Sequence, residues 1–328
     1  MRNLSPVLVG GEALFDFISA EIGSGLGASK TFEKRVGGSP FNIAVGVRRL
    51  GVPVSFVGKF GDDQFSEALV EFLKKESIDV THIVQEEGTK TTLAFVAVDK
   101  EGKPEFRFYR DHAADISLRS DELGELHPDV FSVCHCGGIV LAEEPSASAY
   151  ASLADRFVEK RIPVSLDPTV RQSLISDSDR YRSFLRRMIE KVSILKLSDE
   201  ELWFLTGTKD FDEGIRALPT KEGALVFVTL GREGASVYRD GIKISHAPGF
   251  DVKAVETTGC GDCFMAAILA ALAGNSIANL TQMGADALRC CMRFANAAAA
   301  MVATRIGAAE ANPTRQEMER FLAGDRMS

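Results

Sequence analysis

The sequence predicts a three-layer α/β fold: a mostly parallel central sheet with helices on both faces and a small extra β layer. Three observations predict it. Short apolar runs of strand character alternate with helical stretches, as in parallel sheets built from helical crossovers. The alanine-rich pieces "CFMAAILAALA" and "RFANAAAAMVA" are apolar over most of their surface and read as buried helices. Residues 12–36 and 89–111 break the rhythm with alternating β-branched and aromatic residues divided by glycine-containing turns.

In chain order, "VLVG" is the first strand. The N-terminus is only superficially signal-like, because Glu12 and Asp16 interrupt its apolar stretch. "VSFVGKF" is a strand followed by the helical "DDQFSEALVEFLKKE", and "VFSVCHCG" a strand followed by "EPSASAYASLADRFVEK". "IPVSLD", "VSILKLS" and "ALVFVTLG" are further strands, each with a helical pattern nearby. Within 89–111, "DKEG" between two strand-like runs is a hairpin signal. The two irregular segments together form a small layer placed to act as a lid.

The 328 residues are 45% hydrophobic and 26% charged, which suits one large soluble domain spanning 1–328. The net charge of −8, without a basic run or basic–aromatic patch, argues against nucleic acid as a partner. The apolar run after Asp262 is too short for the ~20 residues of a membrane span. A cytoplasmic location is the expectation, and six scattered cysteines in so large a chain fit a reducing compartment. Cys134-His135-Cys136 lies in a strand, where neighbours point to opposite faces, and is read as structural. Cys290 and Cys291 are read as core residues of a helix.

Ligands of a doubly wound sheet bind outside the carboxyl ends of its strands. There the sequence places Asp167 and Arg171, Ser198 and Glu201, Thr229, Gly231 and Gly234, and, before an early helix, Gly37, Gly38 and Asn42. They describe one polar rim, although strand ends and helix caps attract such residues in any case. The stretch "ETTGCGD" says more. Gly259 and Gly261 allow close backbone approach, and successive amides at a helix start, with the helix dipole, make an anion site without a lysine or arginine. Asp262 is a poor partner for an anion but a suitable base for a hydroxyl that attacks one. Its plain alternative is a favourable charge at a helix start. Cys260 and Cys263 at C-x-x-C spacing offer a dithiol reading, which Asp262 between them disfavours; a zinc site lacks a second ligand pair. Neither a P-loop nor a dinucleotide fingerprint is present.

"ETTGCGDCF" resembles the D-T-T-G-A-G-D-x-F signature of the ribokinase-like (phosphofructokinase-B type) sugar kinases, and "GGSPFNIAVGVRRLG" resembles their N-terminal signature. The likeness runs from "GGEALFD" to "TRIGA". Within the family, "GEALFDF", "TTLAFV", "PEFRFYRDHAAD", "EEPSASA", "DPTVR" and "KLSDEE" are most similar to fructokinases, with 2-keto-3-deoxygluconate kinases the nearest rival. The resemblance implies a ribokinase-like fold and ATP-dependent phosphorylation of a ketose, foremost fructose to fructose 6-phosphate. It implies Asp262 as base, with Gly259, Cys260 and Gly261 giving amides to the transferring phosphoryl group. Asp16, Gly37, Gly38 and Asn42 would hold sugar hydroxyls, with Arg110 from the lid and Arg171 nearby. Thr229, Gly231 and Gly234 would line the ATP site, Asn296 would approach the adenine, and Ser198 and Glu201 would organise Mg²⁺, Glu201 through water.

Three positions depart from the family pattern: Glu256 for Asp, Cys260 for Ala and Ser198 for Asn. In many relatives the 256 position and the loop near Gly307 help bind K⁺, so a longer Glu256 preserves or disturbs that site. A homodimer through the lid is a further implication. A sugar or nucleotide sensor on a kinase fold is the non-enzymatic alternative.

Overall fold

The computed structural model describes residues 4–21, 23–98, 104–124 and 126–325. The strands are β1 (Val7–Gly10), β2 (Leu14–Ser19), β3 (Phe32–Gly37), β4 (Val54–Phe60), β5 (Asp79–Gln85), β6 (Leu93–Val98), β7 (Pro104–Tyr109), β8 (Val133–Gly137), β9 (Val164–Asp167), β10 (Ile194–Ser198), β11 (Leu225–Thr229), β12 (Ala235–Arg239) and β13 (Ile242–Ala247). The helices are α1 (Ser39–Arg49), α2 (Gln64–Lys75), α3 (Ser146–Glu159), α4 (Ser178–Ile189), α5 (Asp199–Thr206), α6 (Phe211–Ala217), α7 (Cys260–Leu272), α8 (Ile277–Thr281), α9 (Ala285–Ala303) and α10 (Arg315–Asp325).

Nine strands form the main sheet in the order β13-β12-β11-β10-β9-β8-β1-β4-β5, parallel except for β12 and β13. Alternate residues along each strand enter two different cores. Ile194, Leu225 and Phe227 pack with α1, α7 and α9, while Leu195, Leu197, Val226 and Val228 pack with α3, α4 and α5. The expected layers are therefore present, and the alanine-rich α7 is buried over nearly its whole length. The chain runs outward from β1 in both directions, so the switch point falls between β1 and β8, where the crevice of such a sheet opens.

A second sheet has the order β3-β2-β6-β7. It joins the two irregular segments through a parallel β2–β6 pair, with Phe17 stacked on Phe95 at 4.9 Å. The "DKEG" turn lies outside the described residues, but β6 and β7 flank it as antiparallel partners. Three strands of the main sheet, β5 and the β12–β13 hairpin, have no counterpart in the sequence reading. Both edges of the sheet are thus made by elements the alternation did not reveal.

One core assignment is corrected. Cys290 is exposed and Cys291 only half-buried, because the buried stripe of α9 runs through Leu288, Met292 and Ala295 and position 290 points away from it. Cys134 and Cys136 are buried on one face of β8, and His135, facing the other way, pairs through Nδ1 with Ser165 Oγ at 3.1 Å. No helix among the described residues is long and apolar enough to cross a membrane.

Candidate active site

Helix α7 begins on a glycine turn. Gly259 adopts φ 78°, left-handed backbone, and a Cβ there would stand 2.8 Å from the Ala308 Cβ, so the turn is seated against the loop after α9. The Cys260 amide is turned to the Thr257 carbonyl at 3.2 Å. The amides of Gly261 and Asp262 are first-turn donors that a helix leaves without intrahelical acceptors. The donors of this turn without a helix partner are therefore the Gly261 and Asp262 amides, with the Cys260 amide held in the turn.

Asp262 is gripped from α1. Ser39 Oγ donates to its Oδ1 at 2.7 Å and Asn42 Nδ2 to its Oδ2 at 2.8 Å. These partners are three residues apart and so share one face of the first turn of α1. Gly38, at φ 100°, and Pro40 start that turn, and buried Glu12 accepts the Ser39 amide at 3.2 Å. Thr169 Oγ1 donates in turn to Ser39 Oγ at 3.0 Å. Asn42 Oδ1 is buried without a partner among the described residues, a polar atom of the kind that folded proteins seldom leave unsatisfied.

Asp16 lies beside this group, its carboxylate packed on Gly37, where a Cβ would stand 2.2 Å from Oδ2. Burial, reinforced by the nearby Asp262 charge and opposed by Arg171, pushes Asp16 up to about 7. Arg171 is exposed, with its guanidinium 5.6 Å from the Phe106 ring of the lid. Arg110 is placed differently from Arg171: its Nη2 donates to buried Asp115 at 2.7 Å, and Thr92 Oγ1 holds the other carboxylate oxygen at 2.6 Å.

At the carboxyl ends of β9 and β10, the buried Lys196 ammonium lies 3.0 Å from Asp167 Oδ2. Ser198 and Glu201 form a reciprocal capping box: Ser198 N donates to Glu201 Oε2 at 2.8 Å, and Glu201 N to Ser198 Oγ at 3.1 Å. Glu201 Oε1 accepts the Val170 amide at 2.9 Å. Each oxygen keeps a lone pair, so this carboxylate fits a hydrated Mg²⁺ held mainly by substrate phosphates. No cluster of three or more His, Cys, Asp or Glu among the described residues forms a dedicated metal site.

Thr229 is paired in register with Ser198. Gly231 has open space at its Cβ position, whereas Gly234, at φ 94°, sits 2.1 Å from the Ala247 carbonyl by the same measure. Asn296 Nδ2 donates to the Ala247 and Pro248 carbonyls, each at 2.9 Å, and so fastens the loop that Gly234 packs against. Glu256 Oε2 accepts the Gly307 amide at 3.0 Å and lies 3.6 Å from the Arg35 guanidinium of β3. Burial, then the Asp262 and Glu256 charges, push the Cys260 thiol up to about 12, while Cys263 is buried and raised well above its ordinary value. Neither thiol is poised as a thiolate, which removes the physical basis of the dithiol reading.

The structure thus gathers Asp16, Gly37, Gly38, Asn42, the 259–262 turn, Glu256 and Gly307 in one place, with Ser198, Glu201, Thr229 and Gly231 along the adjoining strand ends. Arg110 is held aside by Asp115, and Asn296 serves the backbone of a neighbouring loop. Ser39, Thr169, Glu12 and Lys196 were missed. Ser39 stood inside a quoted signature, and Lys196, a charged residue in the apolar run "ILKLS", was the visible anomaly.

The family model of the pfkB family carbohydrate kinases matches residues 5–315. "Probable fructokinase-2" of Arabidopsis thaliana is 38% identical over 321 residues, covering 98% of this chain and 96% of the relative. "Fructokinase-1" of Oryza sativa subsp. japonica is 34% identical over 313 residues, covering 95% and 96%. Among solved structures, the ATP-bound fructokinase of Xylella fastidiosa superposes with a TM-score of 0.89 at 28% identity, covering 98% of this chain and 99% of that one. A double mutant of the Vibrio cholerae O395 fructokinase, with fructose, ADP and potassium ion bound, superposes with a TM-score of 0.83 at 28% identity, covering 97% and 98%. The motif-bearing glycine turn, the strand order and the matched length agree: this chain belongs to the pfkB family of carbohydrate kinases.

Proposed function

We propose that the protein is an ATP-dependent fructokinase that transfers the γ-phosphoryl group to the primary 6-hydroxyl of D-fructose. The observation that carries this is Asp262, held through both carboxylate oxygens by Ser39 and Asn42 at the mouth of the α7 amide pocket. In the transfer, the hydroxyl oxygen forms a bond to the γ-phosphorus as the bond to the β–γ bridging oxygen breaks. The electron pair leaves with ADP, and the hydroxyl proton passes to Asp262. Because the transition state is loose, proton removal comes late and demands little of the base. The first-turn amides of α7 receive charge on the phosphoryl oxygens. Bound Mg²⁺ would neutralise phosphate charge, oriented by Glu201 through water, with Ser198 fixing that carboxylate.

Asp16 and the free Asn42 Oδ1 are acceptors for sugar hydroxyls, and Thr229, Gly231 and Gly234 border the nucleotide. The pairing of Arg110 with Asp115 favours a neutral ketose over 2-keto-3-deoxygluconate, because that lid cation is already neutralised. A sugar panel with Mg-ATP, read as ADP release with and without K⁺, tests the reading. Fructose is expected to give the highest kcat/KM. No sugar-dependent ADP release would leave a sensor, and preference for the keto-deoxy acid would reassign the substrate. Glu256 and Gly307 are the proposed site of a monovalent cation, where Arg35 competes for the carboxylate, so a weak K⁺ response is expected.

We further propose one kinase unit spanning 1–328, a cytoplasmic location and a homodimer through the lid. The half-exposed lid aromatics Phe17, Phe32 and Phe95, the exposed Tyr109 and the open strand edges support the dimer. Asp16 also predicts a pH effect. As an acceptor it must be ionised, so kcat/KM for fructose should rise through an apparent pKa of about 7. Asp16→Asn should flatten that limb while lowering fructose affinity; an unchanged limb would assign it to another group.

A further inference from the structure

Lys196 takes no part in the chemistry described so far, yet its ammonium sits under the glycine turn. A Cβ on Gly261 would stand 3.1 Å from its Nζ, although Gly261 has no positive φ that would itself call for glycine. Gly261 is therefore small where the ammonium approaches. Lys196 is on the face of β10 turned toward α7, as its neighbour Ile194 in the α7 core shows, and only 6% of it is exposed. Burial would lower its pKa, but the carboxylates of Asp167, Glu201 and Asp262 more than offset this and keep it charged.

This arrangement breaks two local rules. A cation at a helix N-terminus opposes the dipole, whose positive end already faces it. A buried Lys–Asp pair is also poor stabilisation, since a well-packed apolar pair of similar volume is commonly as good or better. Two positive features converging on one spot make physical sense when an anion is to be received there, and local rules are broken chiefly at functional sites. Resting on the kinase reading above, we propose that Lys196, anchored by Asp167, is the cationic floor of the phosphoryl pocket. Its field adds to that of the Gly261 and Asp262 amides as the phosphoryl group passes from ATP to the sugar. It gives and takes no proton.

The test compares the parent with Lys196→Met and with the paired variant Lys196→Met/Asp167→Asn, which removes the Lys196–Asp167 ion pair as a unit. For the folded paired variant, kcat should fall by about 10²–10³-fold, the scale for one preorganised charge-stabilising donor. KM for fructose should stay near the parent's, and tight binding of ADP with aluminium fluoride, a mimic of the transferring phosphoryl group, should be lost. A purely structural role would instead move the melting temperature and leave kcat and fluoride-complex binding close to the parent's, which would overturn the proposal. If neither variant folds, the parent decides: the ¹⁵N-labelled Lys196 Nζ resonance should shift when fructose, ADP and aluminium fluoride are added. An unchanged resonance would overturn the proposal. A parent that turns over no sugar would refute the kinase reading itself, a result distinct from either.

Discussion

Asp262→Asn is expected to lower kcat for fructose phosphorylation by about 10²–10⁴-fold, the usual scale for losing a positioned general base. The substitution is clean because the surroundings can absorb it. The amide oxygen can keep the Asn42 donor, and its NH₂ can face Ser39, whose hydroxyl rotates and has lone pairs to accept. Fold and fructose KM should therefore stay close to the parent's, so the loss falls on kcat. Coupled assays over a fructose series, with thermal melts alongside, measure this; a variant within about threefold of the parent's kcat would remove Asp262 from the role of base.

Gly259→Ala is expected to cost nearly as much, by a different route. The residue occupies left-handed backbone at φ 78°, and the added methyl would lie 2.8 Å from the Ala308 Cβ and 2.9 Å from its Cα. Neither the backbone of Ala308 nor a β-carbon can swing aside as a long side chain would. The turn must shift, and with it the Gly261 and Asp262 amides that begin α7. Misaligning such donors costs roughly 10²–10³-fold in kcat. Asp262, carried by the same turn, would also move relative to Ser39 and Asn42. The distinguishing readout is ADP–aluminium fluoride affinity, which should collapse while ADP alone binds as before. Unchanged affinity for the fluoride complex would mean that the turn is not the phosphoryl pocket.

Local patterns carried much of this protein. Apolar runs marked six strands of the main sheet, alternation marked the two lid segments, and the glycine turn before an apolar stretch marked the start of α7. The β12–β13 hairpin was also legible in principle, since Asp240-Gly241 between "ASVYR" and "IKISHA" is a two-residue hairpin signal, with φ of 51° and 76° at the two positions. β5 was harder to see, because "DVTHIVQ" mixes polar and apolar residues in a half-covered edge strand. Cys290 was misread because a helix that looks apolar overall still has one outward side.

The chemistry available is written in the order of residues: an acid at the start of an apolar helix, glycines where backbone must come close, and a rim of polar residues at strand ends. Folding alone settles which of those groups meet. Ser39 and Asn42 reach Asp262 across separations of 223 and 220 residues, and Arg110 turns to Asp115 rather than to the crevice. Lys196 lies beneath Gly261 because strand order puts the end of β10 under the start of α7. Such meetings depend on sheet order and helix docking, which arise from burial summed over two whole cores. No window of neighbouring residues contains that information.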